Sequence, residues 1–186
     1  MKFLSKKFSF FLLLLLLVPF SISQAESVKL NMVFVPASEK GDDKDYVNLI
    51  KIIGELTGIE ITPIRVTDYN AAVEAVRANR AQIAWYGGKT YIQAVEIANV
   101  EAFAAGVRKG DTDASYFAYF VVPTDSDLQT LADVKGKRLA LNSIGSTSGD
   151  LIPQVELMKA GLSIKNKSDF KRVYYAGSHD ACMMAT

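Results

Sequence analysis

Cysteine, histidine and tryptophan each occur once in this chain. A lone cysteine, Cys182, excludes an intrachain disulfide and any cysteine-based zinc cluster. A lone histidine, His179, excludes a paired-imidazole metal site, and no carboxylates cluster at metal-ligand spacing. No metal and no other cofactor is expected. Strong charge of one sign is missing too. Residues 1–25 carry Lys2, Lys6 and Lys7 and no acid. Without them the 21 basic residues fall to 18 against 20 acidic ones, a net of about −2. That balance argues against a nucleic-acid partner and against a polybasic membrane contact. Repeats and low-complexity linkers are likewise absent after the first residues.

What is present begins with a targeting segment. A basic start is followed by the apolar run Phe8 to Phe20, and Ser23-Gln24-Ala25 offers a small-x-small cleavage site. The apolar run is shorter than the roughly 20 residues a membrane span needs. Cleavage after Ala25 and secretion into a bacterial periplasm are expected. The remainder divides into two expected lobes, 26–119 and 120–186.

Hydrophobic periodicity sets the element order. Val28 to Val35 reads as a buried strand. Tyr46, Leu49, Ile50, Ile53 and Leu56 then recur at helical spacing up to Gly58. Ile59 to Val66 is strand-like, with Pro63 pointing to an edge position or a break. Thr67 or Asp68 can cap a helix carrying Ala72, Val73 and Val76. Gln82 to Tyr86 reads as a short strand, Thr90 to Ala98 as a helix and Val100 to Val107 as a further strand. An aromatic run, Tyr116 to Val122, crosses to a second pattern. It has a short helix near Leu131, a strand from Lys137, a helix from Ser148 and a strand at Val173-Tyr174-Tyr175. Strands alternating with helices imply an α/β fold with parallel sheets covered on both faces. Ligands in such folds sit at the carboxyl ends of strands, which singles out the loops after Tyr86, Asn142 and Tyr175.

The most informative stretch is Asn142 to Pro153. It follows a strand and opens a helix, and it places Ser146, Thr147 and Ser148 where the first backbone N–H groups lack acceptors and the helix dipole is positive. Neutral donors in that position suit a small tetrahedral oxyanion. A hydrolase is disfavoured, although Ser148, His179 and Asp180 supply the residue types of a triad. Thr147 takes the central place between Gly145 and Gly149, so the loop is not a G-x-S-x-G elbow. Asp180 is adjacent to His179 and poorly placed to orient it. The chain is expected not to be an enzyme.

Four pieces, in order and spacing from about Val28 to His179, resemble the periplasmic phosphonate- and phosphite-binding proteins of ABC importers. They are Thr67-Asp68-Tyr69; Ile83-Ala84-Trp85-Tyr86-Gly87; Gly145-Ser146-Thr147-Ser148-Gly149 with Leu151 and Pro153; and Asp169-Phe170-Lys171 with Ala176-Gly177-Ser178-His179. The resemblance implies a two-lobed type II periplasmic binding fold, each lobe a mostly parallel sheet flanked by helices. It also implies capture of a phosphonate, phosphite or related phosphorus oxyanion between the lobes for an ABC permease. The implied ligand set is Tyr69, Tyr86, Ser146, Thr147, Ser148 and His179. Of the two tyrosines, Tyr86 has Gly87 and Gly88 beside it, which leaves its strand end open to a cleft. Trp85 should point the opposite way, into the core. Members of the family run on well past the position of Thr186, so the second lobe and the return of the chain are expected to be incomplete here. Two other roles fit the same resemblance: an oxyanion-sensing subunit that serves a sensor kinase, and a truncated, non-functional remnant.

Overall fold

The computed structural model describes residues 28–38 and 42–186. The expected targeting segment and its cleavage site lie outside these residues. Two parallel sheets organise the described chain. The first has β1 (Lys29–Phe34) between β2 (Glu60–Ile64) and β3 (Ile83–Trp85), in the order β2-β1-β3. The second pairs β4 (Arg138–Leu141) with β5 (Arg172–Tyr175).

β1 reads as a continuous apolar run because both of its faces are covered, the usual condition of a strand inside a parallel sheet. Met32 and Phe34 point to one face and pack with Ile50 of α1 (Asp42–Thr57) and Ile61 of β2. Val33 and Val35 point to the other face, against Tyr69, Ala72 and Ala75 of α2 (Tyr69–Arg77). Phe34 also stacks on Tyr46, ring centroids 4.0 Å apart. Pro63 takes a place in the ladder opposite Met32. It is tolerated there because β2 is bonded only to β1 and forms an edge of the described sheet.

Local chemistry sets the helix ends. The Asp68 carboxylate accepts from the Ala71 N–H at 2.8 Å and starts α2. Gly58 ends α1 in the left-handed region (φ +71°), where a side chain would be strained. α3 (Gly88–Ala98) packs on α2. In the second sheet's layer, Leu157 of α4 (Ile152–Lys159) packs with Leu162 and Phe170, over Leu139 and Val173. A single 3₁₀ turn, Leu131–Val134, precedes β4, and α5 (His179–Met184) follows β5.

Two expectations fail. Val100 to Val107 forms no strand: residues 101–117 are exposed, with no ladder partner among the described residues. Strand preference is largely a fit to a half-buried pleated neighbour, and without one the sequence pattern is not realised. Trp85 is not in the core either. It is 40% exposed and packs against Gly106, where an added Cβ would come within 2.7 Å of the indole. The ring covers backbone because residues 100–107 bring no side-chain layer to that face.

Candidate functional site

Two strand-to-helix junctions face each other in the middle of the molecule. One runs from β3 through Tyr86 and Gly87 into α3. The other runs from β4 through Asn142 to Gly145 into a single π-type turn, Thr147–Leu151, that leads into α4. Between them and the irregular segment 99–116 lies a cleft of about 950 Å³. Tyr69, Tyr86, Ser146, Thr147, Ser148 and His179 all contribute to its wall.

The hydroxyl loop is tightly built. Ser146 is buried and caps the turn, its Oγ accepting from the Gly149 N–H at 3.0 Å. The wide turn follows from N–H groups that reach five residues back: Leu151 donates to the Ser146 carbonyl at 3.1 Å, and Ile152 to that of Thr147. Gly149 is required at its place, because a Cβ there would stand 2.3 Å from the Asn142 Cβ. With the Gly149 N–H used by the cap, the amides of Thr147 and Ser148 are the first-turn donors left to a ligand, and the dipole favours an anion beside them.

Ser146 and Thr147 were expected as donors to a ligand. Each also accepts: Thr147 Oγ1 takes the Lys89 N–H at 2.8 Å, across the cleft. A hydroxyl keeps its proton for a second bond while accepting, and accepting strengthens it as a donor. The Ser148 hydroxyl takes no part in these bonds.

The tyrosines are placed differently. Tyr86 donates its hydroxyl to the Ala72 carbonyl of α2 at 3.0 Å, so it presents its ring, rather than its oxygen, to the cleft. Burial pushes this phenol up to about 12, which keeps it protonated at any physiological pH. Tyr69 is buried at 4% exposure, packs on Gly145, and accepts from Asn142 Nδ2 at 3.4 Å. Its phenol thus spans the seam between the two sheets' layers. His179 opens α5 behind the Ser178 cap, and its N–H donates to the Ala37 carbonyl at 3.1 Å. Asp180 accepts from the Ser38 hydroxyl.

Three residues near the loop escape a reading of the sequence. Tyr116 brings its hydroxyl to 3.7 Å from where a Cβ on Gly87 would lie, and it lines the cleft with the hydroxyl loop. Asp150 is 1% exposed beneath the loop and binds Lys89 Nζ at 2.5 Å. Lys89 and Asp150 lie 61 positions apart in sequence, so no local pattern announces the pair. Tyr116 stood within an aromatic run that read as the crossover to the second lobe.

Parallel sheets with helices packed on them and a cleft at the strand carboxyl ends, floored by a helix N-terminus, define a two-lobed solute-binding fold of the type II periplasmic class. The chain belongs to the family described as the phosphonate periplasmic substrate-binding proteins of ABC transporters, whose profile it matches over residues 32–186. It is 31% identical over 146 residues to a probable phosphite-binding ABC transporter protein of Prochlorococcus marinus, covering 75% of this chain and 48% of the relative. It is 29% identical over 174 residues to the phosphonates-binding periplasmic protein of Escherichia coli, covering 91% and 50%. Among solved structures it resembles a binding-protein component of an ABC phosphonate transporter from Pseudomonas aeruginosa. That match has a TM-score of 0.73 at 25% identity and covers 83% of this chain and 52% of the other. The chain therefore spans about half the length of the curated relatives it matches.

Proposed function

We propose that this protein captures a small phosphorus oxyanion, a phosphonate or phosphite, and presents it to an ABC permease in the inner membrane. In this reading Thr147 and Ser148 donate from backbone and hydroxyl, the Ser146 hydroxyl donates while it caps, and His179 closes the far side. Tyr69 and Tyr86 wall the cleft. The lobes correspond to residues 26–119 and 120–186, and residues 1–25 direct secretion to the periplasm and are then removed. In this reading the cleft binds and releases its ligand unchanged, and the Asp180 carboxylate accepts from the Ser38 hydroxyl.

The observation that carries the proposal is the hydroxyl loop at a helix N-terminus, facing a second helix N-terminus, in a cleft of this family's fold. Hydrogen bonds to a charged group net about 1.5–3 kcal/mol each, so four or five of them can reach the roughly 8 kcal/mol of micromolar binding after association costs. The test is a thermal melt of the purified protein alone and with phosphite, methylphosphonate, 2-aminoethylphosphonate, phosphate and sulfate. Ligand at about a hundred times its dissociation constant adds roughly 2.7 kcal/mol, a shift of several degrees. A shift with a phosphorus oxyanion and none with sulfate is expected. A cooperative melt that none of the five anions moves would refute the proposal.

A further inference from the structure

The first turn of α3 is bonded to the hydroxyl loop through both Lys89 and Thr90. The N-cap of α3 is Gly87, which has no side chain to cap with. The cap is supplied from the other side of the cleft, by Thr147 Oγ1 on the Lys89 N–H at 2.8 Å. Thr90 Oγ1 donates to the Gly145 carbonyl at 2.8 Å. Lys89 Nζ donates to the Ile144 carbonyl and binds Asp150 Oδ2 at 2.5 Å. Asp150 is held from its own side by Gln154 Nε2 at 2.6 Å and the Tyr175 hydroxyl at 2.8 Å. Those two partners are neutral, so the ammonium of Lys89 is the charge that compensates this buried carboxylate.

We propose that Lys89 is a closure clasp whose ion pair with Asp150 sets the anion affinity of the hydroxyl loop. Asp150 lies in the first turn of the structure whose N-terminus faces the cleft. When the lobes part, its negative charge acts on the anion site uncancelled. When they close, Lys89 cancels that charge as Thr147 caps α3, so closing and anion binding favour each other. Thr147 joins the two events in one side chain, since its oxygen accepts from Lys89 while its proton is free for the ligand. The coupling is reciprocal: whatever anion binding gains from closure, closure gains from anion binding. The clasp rests on the oxyanion reading for its ligand but not for its geometry.

The experiment uses the purified protein and its Lys89→Met, Asp150→Asn and doubly substituted variants. Titration calorimetry with methylphosphonate and phosphite is combined with amide hydrogen exchange across residues 87–91 without ligand. Methionine suits a helix about as well as lysine, but Lys89→Met leaves the buried Asp150 carboxylate without its ion pair. A thermal melt of each variant therefore accompanies the titration, and the double variant removes both charges. Lys89→Met is expected to weaken binding about tenfold or more, within the 5–150-fold usual for site coupling, and to speed exchange at the start of α3. Adding Asp150→Asn should return part of the lost affinity by removing the uncancelled charge. Wild-type affinity in Lys89→Met, weaker affinity with unchanged exchange, or an equal loss in both backgrounds would overturn the clasp. Should the unaltered protein bind neither anion, the oxyanion reading falls. Exchange alone then decides the clasp, and unchanged exchange in Lys89→Met overturns it.

Discussion

The two helix starts that meet in the cleft solve the same problem with opposite means. At α4 the Ser146 side chain caps its own turn, and Gly149 lets the backbone close tightly over Asn142. At α3 the cap residue is Gly87, which contributes nothing, and the acceptor comes from Thr147 on the opposite wall. The cap of the first junction is made within one layer; that of the second is made only when the two layers touch. Local chemistry therefore caps the hydroxyl loop, and contact across the cleft builds its surroundings.

The largest effect is expected from a substitution that breaks the junction that supplies its own cap. In Gly149→Ala the new methyl meets the Asn142 Cβ at 2.3 Å, a clash between two backbone-anchored atoms. Overpacking of this kind costs roughly 1–3 kcal/mol or more. A drop of several degrees in the melting temperature checks it, and wild-type melting would show that the turn has slack.

Ser146→Ala sharpens the same side of the comparison. Loss of the cap on the Gly149 N–H should cost about 1 kcal/mol without ligand, and more with ligand, to which the same hydroxyl is proposed to donate. Thr147→Val tests the other junction. It removes the cross-cleft cap from α3, so it should raise hydrogen exchange at Lys89 while leaving the turn at Leu151 protected. If exchange rises equally at both, the junctions are not independent.

A smaller signal lies in alkaline pH. Burial pushes Tyr86 and Tyr175 up to about 12, and at Tyr175 the hydrogen bond to Asp150 adds to it. Each phenol holds its proton more tightly in the folded protein than in the unfolded chain, where the value is near 10. Their contribution is whole below pH 10 and is lost as pH rises from about 10 to 12. Melting temperature should fall across that window, and Tyr86→Phe should flatten part of the fall.

The same division explains what could be read in the sequence. β1, α2 and the Ser146 turn were legible because their signals are local: apolar runs, an Asp68 cap, hydroxyls between a strand and a helix. Pro63 marked an edge strand for the same reason. Val100 to Val107 misled because a strand needs a neighbour that its own residues do not specify. Trp85 misled because the layer meant to cover it is the same unpaired segment. Lys89, Asp150 and Tyr116 become neighbours of the loop only through tertiary packing, so spacing along the chain gave no hint of them.

The most direct measurement is a calorimetric titration of the unaltered protein and of Ser148→Ala with methylphosphonate. The Ser148 hydroxyl stands outside the capping and clasp hydrogen bonds, so its loss should leave ligand-free melting unchanged. One hydrogen bond to a charged group is worth about 1.5–3 kcal/mol. The account therefore predicts saturable binding that weakens about tenfold or more in Ser148→Ala. No binding by the unaltered protein, or equal affinity in the two, would contradict it.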